Sequence, residues 1–214
     1  TEQFLVIDAS TRRNLELTTT LRENRREGSL LSLLDRSSTA MGSRLLREWL
    51  LQPLLDPAAI NERLDAVDEM VGDRVTAEDL SRLLREVYDV ERLTMRVTAA
   101  RANARDLVAL RESLRRLPQI AEVLAQCEAP LLAELSGRIA NLDEVTALLE
   151  AALADDPPVQ ITEGGLMRAG YSEDLDEIRD IAAGGKRWIA QLEAQERART
   201  GIESLKVGYN KVFG

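Results

Sequence analysis

Histidine is absent from this 214-residue chain, and cysteine occurs once. Imidazole is the commonest general base and the commonest metal-ligating side chain, so its absence excludes the most frequent catalytic and zinc-binding arrangements. A single cysteine, Cys127, rules out an internal disulfide and is typical of a reducing compartment. Because no histidine can activate it, Cys127 is predicted to be a buried or incidental thiol rather than a nucleophile.

Aromatic residues are also scarce, at 3% of the chain, and no apolar run approaches the about 18 residues that a membrane span needs. Leucine, alanine, arginine and glutamate dominate instead, which favours helix because sheets prefer aromatic and β-branched residues. The fold class is therefore predicted to be all-α. The start of the chain lacks a signal-peptide pattern, so a cytoplasmic location without membrane contact is expected.

Acidic residues outnumber basic residues, and the formal net charge is −9. A nucleic-acid binder that acts alone usually presents a basic face. The chain by itself is therefore expected to bind DNA weakly.

Apolar residues spaced three and four apart predict a succession of helices before residue 155. The clearest start is Asp56, a capping residue followed by Pro57 at the first helical position. The stripe of the helix after it consists of Ile60, Leu64, Val67 and Val71.

Three helices are predicted before Asp56: one beginning near Thr11 with Ser10 as its cap, one ending near Asp35, and one stopped by Pro53. The first is predicted to turn Leu15 and Leu21 inward. The third is predicted to bury a wide face made of Met41, Leu45, Leu46, Trp49 and Leu50.

Further helices are predicted from Thr76 and after Asp89, and another over 104–117 that Pro118 interrupts. Helix is then predicted over 119–127 and 131–154, with a break near Asn141. Residues 155–171 hold two prolines and a Gly-Gly pair between short β-prone runs at 159–162 and 166–168, which predicts a loop with a small hairpin. The helical core domain is accordingly assigned to residues 1–171.

A long helix is predicted to begin at Ser172 and to run to about Thr200, roughly 40 Å. Acidic residues fill its first turn and arginines its last, as the helix dipole favours. Apolar and small residues spaced 3, 4, 3, 4 and 3 apart form a seam typical of a coiled coil. The seam consists of Leu175, Ile178, Ala182, Gly185, Ile189 and Leu192.

Two glycines, Gly184 and Gly185, lie inside this helix, at a cost of about 1 kcal/mol each relative to alanine. They indicate tight packing or a small kink, or else a flexible point in a mechanical arm. A seam of this length requires a second long helix beside it, and the earlier helices are too short.

The sequence Gly-Gly-Lys at 184–186 resembles part of a phosphate-binding loop, but the rest of that motif is missing. Asp180 stands where its first glycine is needed, and Arg187 follows the lysine in place of serine or threonine. No catalytic, cofactor-binding or metal-binding residues are predicted anywhere in the chain.

The closing sequence LKVGYNKVFG, residues 205–214, differs from the rest because it alternates like a strand. Val207, Tyr209 and Phe213 stand among small and polar residues. A single strand is predicted here, with its sheet partners beyond residue 214.

Several segments resemble the MutS family of DNA mismatch-repair proteins, most closely its bacterial mismatch-recognising branch. They are IDASTRRNLEL (7–17), SLLSLLDRSSTAMGSRLLREWLLQPL (29–54), DVERLTMRVTAARANARDL (89–107), ITEGGLMRAGYSEDLDEIRDI (161–181) and RTGIESLKVGYNKVFG (199–214). The resemblance implies a helical core over 1–171, an outgoing lever helix over 172–200 and the start of a DNA-contacting clamp over 201–214.

The resemblance also implies functions that these residues lack. The family's mismatch-reading Phe-x-Glu and its Walker motifs are absent, so mismatch recognition, ATP and Mg²⁺ would belong to a longer parent protein. That parent would bind mismatched duplex DNA, act as a homodimer, engage a MutL-like partner and associate with the nucleoid. Lys206 and Lys211 are the candidate DNA contacts at the clamp entry, and the segment itself would not be an enzyme.

The role implied for this segment is allosteric: packed helices would link the clamp to the ATPase domain. The alternative is a stand-alone helical adaptor that binds a partner helix along the 175–192 seam.

Overall fold

A computed structural model describes residues 3–207, and this range contains ten α-helices and one short 3-10 helix. The chain divides into two compact units, Thr1–Leu166 and Met167–Gly214. The predicted all-α class is confirmed. The helices are α1 (Ala9–Asn14), α2 (Leu30–Leu34), α3 (Ala40–Leu51), α4 (Pro57–Gly72), α5 (Arg74–Arg85), α6 (Val90–Thr98), α7 (Ala104–Ala125), α8 (Pro130–Arg138), α9 (Asp143–Ala152), the 3-10 helix (Ile161–Glu163) and α10 (Glu173–Thr200).

Polar side chains set most of the helix starts, because they accept hydrogen bonds from amides that have no partner inside the helix. The predicted caps Asp56, Asp89 and Ser172 are confirmed. The predictions for α1 and α5 were wrong by a few residues, since Asp8 and Asp73 cap these helices. The remaining side-chain caps are Ser29, Thr39 and Asn103.

The core of the first unit forms around α7, which packs against α5, α6, α8 and α9. Leucines, isoleucine and small residues from four helices and a connecting loop meet there in one buried cluster. Its members are Ala66, Leu83, Ile120, Leu124, Cys127, Ala129 and Leu132.

Cys127 is buried in this cluster, and its Sγ lies 3.6 Å from the carbonyl oxygen of Val123. Burial raises the pKa of the thiol, and the carboxylates of Glu69 and Asp73 raise it further. A thiolate is therefore disfavoured, and the prediction of a buried thiol is confirmed.

Pro118 does not interrupt its helix, contrary to the prediction, because α7 runs without a break over Ala104–Ala125. Proline removes one backbone hydrogen bond and crowds the preceding turn. Leu114 on one side of it and Ile120 and Leu124 on the other are all buried. Burial of side chains on both sides of the proline helps to keep the helix continuous. The predicted break near Asn141 is confirmed, since α8 ends at Arg138 and α9 begins at Asp143.

The predicted stripe on α4 is exposed, although the helix itself forms as expected. Leu64, Val67 and Val71 each leave more than half of their surface accessible, with Val71 at 65%. The helix packs on α5 and α8 instead through the face that carries Ala66 and Met70.

Two other predicted apolar faces are also more accessible than expected. On α3, Leu45 and Trp49 are exposed, and the guanidinium of Arg63 covers the Trp49 ring at 3.8 Å from its centroid. Leu15 and Leu21, predicted to point inward near α1, are exposed as well.

The small hairpin predicted within the loop over 155–171 does not form. Residues 161–163 are a 3-10 helix, and within 3–207 no strand pair is built from the two β-prone runs. The backbone of Leu166 accepts a hydrogen bond from the Ala154 amide at 3.0 Å instead. Arg105 Nε donates to the carbonyl oxygen of Pro157 at 3.0 Å, and the Pro157 side chain is fully buried.

Polar contacts attach α3 to α6. Arg44 donates to both carboxylate oxygens of Asp89 at 2.7 Å each, and it also contacts Glu91. Arg44 lowers the pKa of Asp89, which keeps the α6 cap ionised. In the part of the chain that is described, no helix is long and apolar enough to cross a membrane.

Candidate functional site

The long helix α10 is the most distinctive element for function. It has 28 residues, which corresponds to about 42 Å. The Ser172 hydroxyl accepts a hydrogen bond from the Leu175 amide at 3.4 Å. Glu173, Asp174 and Asp176 occupy the first turn, and Arg197 and Arg199 occupy the last, so both ends match the helix dipole as predicted.

Two charged residues connect the preceding loop to the first turns of α10 through hydrogen bonds. Arg179 donates to the Met167 carbonyl oxygen and to the Asp176 carboxylate, at 2.9 Å each. Asp176 in turn accepts from the Gly170 amide at 2.5 Å. The start of the helix therefore has a defined attachment to residues 167–172.

The seam residues lie on one side of α10, and none of them is fully buried. Leu175, Ile189 and Leu192 are half-buried, while Ile178, Ala182 and Gly185 are exposed. Ile178 leaves 62% of its surface accessible. Within the described part of the second unit, 167–207, α10 is the only helix, so the seam has no helical partner there.

Two further apolar side chains, which the sequence reasoning missed, widen this face. Ile181 and Trp188 are exposed by 68% and 63%. At about 100° per residue they lie next to the seam, along the edge that contains Leu192. A search for a broader apolar face in place of a strict seam would have found them. We call these two residues together with the six seam residues the α10 face.

Gly184 and Gly185 lie inside the continuous helix, where a side chain would meet no heavy atom within 4 Å. Close packing at the glycines is therefore not seen within the described residues. Because 184–186 are helical, their amides bond within the helix and form no loop around a phosphate. Among residues 3–207, no cluster of three or more histidine, cysteine, aspartate or glutamate side chains suits a metal ion.

The end of α10 folds back on itself. Gly201 has a φ of 70°, a left-handed conformation that ends the helix. Arg197 Nε then donates to the Leu205 carbonyl oxygen at 2.7 Å, and Glu193 accepts from the Val207 amide at 3.0 Å. Residues 205–207 therefore lie along the last turns of the helix, without strand structure.

The predicted DNA contacts at this end are only partly described. Lys206 is exposed. Lys211 lies outside the described residues, as does most of the predicted strand, including Tyr209 and Phe213.

Comparison with known proteins identifies the family. Residues 10–206 match the family model for MutS domain III. The chain belongs to the MutS family. A MutS mismatch-repair protein of Symbiobacterium thermophilum is 54% identical over 211 residues, which cover 99% of this chain and 24% of that protein.

Other MutS proteins are similar over the same extent. The MutS of Synechococcus elongatus is 51% identical over 212 residues, and that of an Exiguobacterium species is 49% identical over 213 residues. The chain spans about a quarter of the length of these curated relatives, 24% and 25% respectively. The resemblance to MutS that the sequence motifs indicated is thus confirmed, and the chain corresponds to domain III of these proteins.

Proposed function

We propose that this MutS segment is a structural and allosteric link, in which α10 acts as a lever between a DNA-binding clamp and an ATPase domain of a longer protein. The observation that carries the proposal is the α10 face. It is an apolar surface on a helix of about 42 Å that has no helical neighbour in its own described unit. Isolated apolar surface of this extent usually marks an interface.

The partner of the α10 face is proposed to be a returning lever helix from the rest of the parent chain. Spacing of three and four residues suits side-by-side helix packing, and exposed Gly185 would allow close approach. Hydrogen bonds of Arg179 and Arg197 hold the two ends of α10 to the segments beside them. A displacement at one end would therefore be transmitted along the helix to the other.

The parent protein would supply the chemistry that this segment lacks. We propose that it binds mismatched duplex DNA, hydrolyses ATP with Mg²⁺ as a DNA-dependent ATPase, forms a homodimer and engages a MutL-like partner in the bacterial cytoplasm. We assign no catalytic step to this segment itself. Lys206, with Lys211, remains the candidate for DNA contact at the clamp entry.

The stand-alone adaptor alternative relies on the same face and has no separate observation in its favour. Identity of 54% to a MutS protein over 99% of the chain supports the lever role instead.

Replacing Ile189 by aspartate in the full-length parent is expected to abolish the response of its ATPase to mismatched DNA. A charge in the middle of the α10 face would be desolvated against the partner helix, which is unfavourable without a counter-charge. The measurement is the ATP turnover rate with and without mismatched duplex.

The matched control is Gln191→Asp, because Gln191 is exposed and lies on the opposite side of α10. This control should retain the DNA response, and both variants should retain their helical circular dichroism. A folded Ile189→Asp parent that still responds normally to mismatched DNA would refute the lever role.

The two glycines provide a second test. Both Gly184→Ala and Gly185→Ala are expected to stabilise α10 by about 0.5–1 kcal/mol in this chain, because alanine is the better helix former and neither site is crowded. In the parent only Gly185→Ala should weaken ATPase coupling, since Gly185 lies on the α10 face and Gly184 does not. If the Gly184→Ala and Gly185→Ala parents showed the same ATPase coupling, a partner helix would not pack at Gly185.

A further inference from the structure

A pocket in the first unit lies between the end of α1, the segment that follows it, and α3. Its volume is about 520 Å³. Its polar lining comprises three arginines and three threonines beside one asparagine, Asn24, and no acidic residue lines it. The arginines and threonines are Arg12, Arg13, Arg47, Thr18, Thr19 and Thr20. We call this the arginine pocket.

The arginines of this pocket lack counter-charges. In the described part of the chain, none of the three forms an ion pair, whereas the nearby Arg26 and Arg44 are paired with Asp35 and Asp89. Arg12 Nε is completely enclosed and has no hydrogen-bond partner. The guanidinium groups that line the pocket are therefore not neutralised by any described side chain.

Neighbouring acids are already engaged. Asp8 accepts from the Thr11 amide at 2.6 Å as the cap of α1, and Glu16 accepts from the Leu21 amide at 2.5 Å. Neither lines the pocket. The local charge is therefore positive although the whole chain carries −9.

The threonines add neutral donors to this site. Among the described residues, the hydroxyls of Thr18 and Thr19 form no hydrogen bond. The Thr20 hydroxyl oxygen accepts from the Arg25 amide at 3.3 Å, which leaves its proton free to donate. Hydroxyl and guanidinium side chains that line one pocket suit an acceptor with several oxygens.

We propose that the arginine pocket binds a phosphate-class oxyanion carried by a small molecule with two or three linked phosphates. A guanidinium donates two parallel hydrogen bonds to a phosphate, and three of them exceed what a single carboxylate can accept. The volume of about 520 Å³ accommodates more than one phosphate group. The net charge of −9 disfavours duplex DNA as the ligand. This site is independent of the lever role of α10.

The test is calorimetric titration of the 214-residue chain with sodium tripolyphosphate, at constant ionic strength and without magnesium. The wild-type chain should show saturable binding with one site. The double variant Arg12→Gln, Arg47→Gln should lose at least about tenfold in affinity, because two charge-assisted contacts are removed. The control Arg101→Gln removes an exposed arginine outside the pocket and should change affinity less than about twofold.

Three results would overturn the proposal. The first is that the wild-type chain shows no saturable binding of tripolyphosphate. The second is that the double variant and the control bind tripolyphosphate with equal affinity. The third is that a short DNA duplex binds saturably while tripolyphosphate does not. Arg13→Gln, which changes an exposed pocket arginine, replaces the double variant if the latter does not fold. A loss of affinity in Arg13→Gln supports the site, and unchanged affinity contradicts it.

Discussion

Replacing Ile120 by alanine is expected to lower the free energy of unfolding by about 2–5 kcal/mol. Ile120 is only 4% exposed and belongs to the cluster that joins α4, α5, α7 and α8. Removing its branched side chain loses apolar burial and leaves a cavity among Leu83, Leu124 and Leu132, members of the same cluster. It also weakens the C-terminal half of α7, which packing must hold in place beyond Pro118.

Urea unfolding followed by circular dichroism at 222 nm would measure this change. The control is Ile161→Ala, because Ile161 lies in the same unit and is 76% exposed. That control should change the free energy of unfolding by no more than about 0.5 kcal/mol. An Ile120→Ala chain as stable as the control would mean that this cluster is not the core of the unit.

Replacing Glu69 by alanine is also expected to have a large effect. It should lower the free energy of unfolding by about 1.5–3 kcal/mol. Helix α8 has no side-chain cap of its own, since Ala129 stands at the capping position. The Glu69 carboxylate of α4 caps this end in another way, since it accepts from the amides of Glu128 and Ala129 just before the helix, at 2.8 and 2.7 Å. Without the carboxylate, both amides lose a charged acceptor, and the buried Ala129 amide has poor access to water.

Two other substitutions separate this capping role from the general effect of removing a charge. Glu62→Ala removes an exposed carboxylate from the same helix and should change stability by no more than about 0.5 kcal/mol. Glu69→Gln keeps one carbonyl acceptor and should give an intermediate loss. The capping role would be disproved if Glu69→Ala and Glu62→Ala had the same stability under identical unfolding conditions.

Sequence alone determined the features that depend on neighbours along the chain. Caps such as Asp56, Asp89 and Ser172 were predictable, because a capping side chain reaches amides only two or three residues ahead. The extent of α10 followed in the same way from its cap, its charged ends and its unbroken spacing. The family was also readable from the sequence, because the matching motifs extend along nearly the whole chain.

The candidate site was only partly predictable. Spacing found the six seam residues of α10 but missed Ile181 and Trp188, because a strict seam is narrower than the exposed apolar surface. The small hairpin predicted within 155–171 does not form, for a related reason. Short β-prone runs form strands only when a sheet edge lies beside them, and the chain instead forms the 3-10 helix Ile161–Glu163.

Only the tertiary structure decided which apolar faces are buried and which polar groups meet. Periodicity showed that α4 has an apolar stripe, yet the helix buries the side with Ala66 because α5 and α8 pack there. The capping of α8 by Glu69 joins residues about 60 positions apart, and the arginine pocket brings Arg12 together with Arg47. Local preferences extend over only a few residues, whereas burial and charge pairing depend on the packing of distant segments, which no spacing rule along the chain contains.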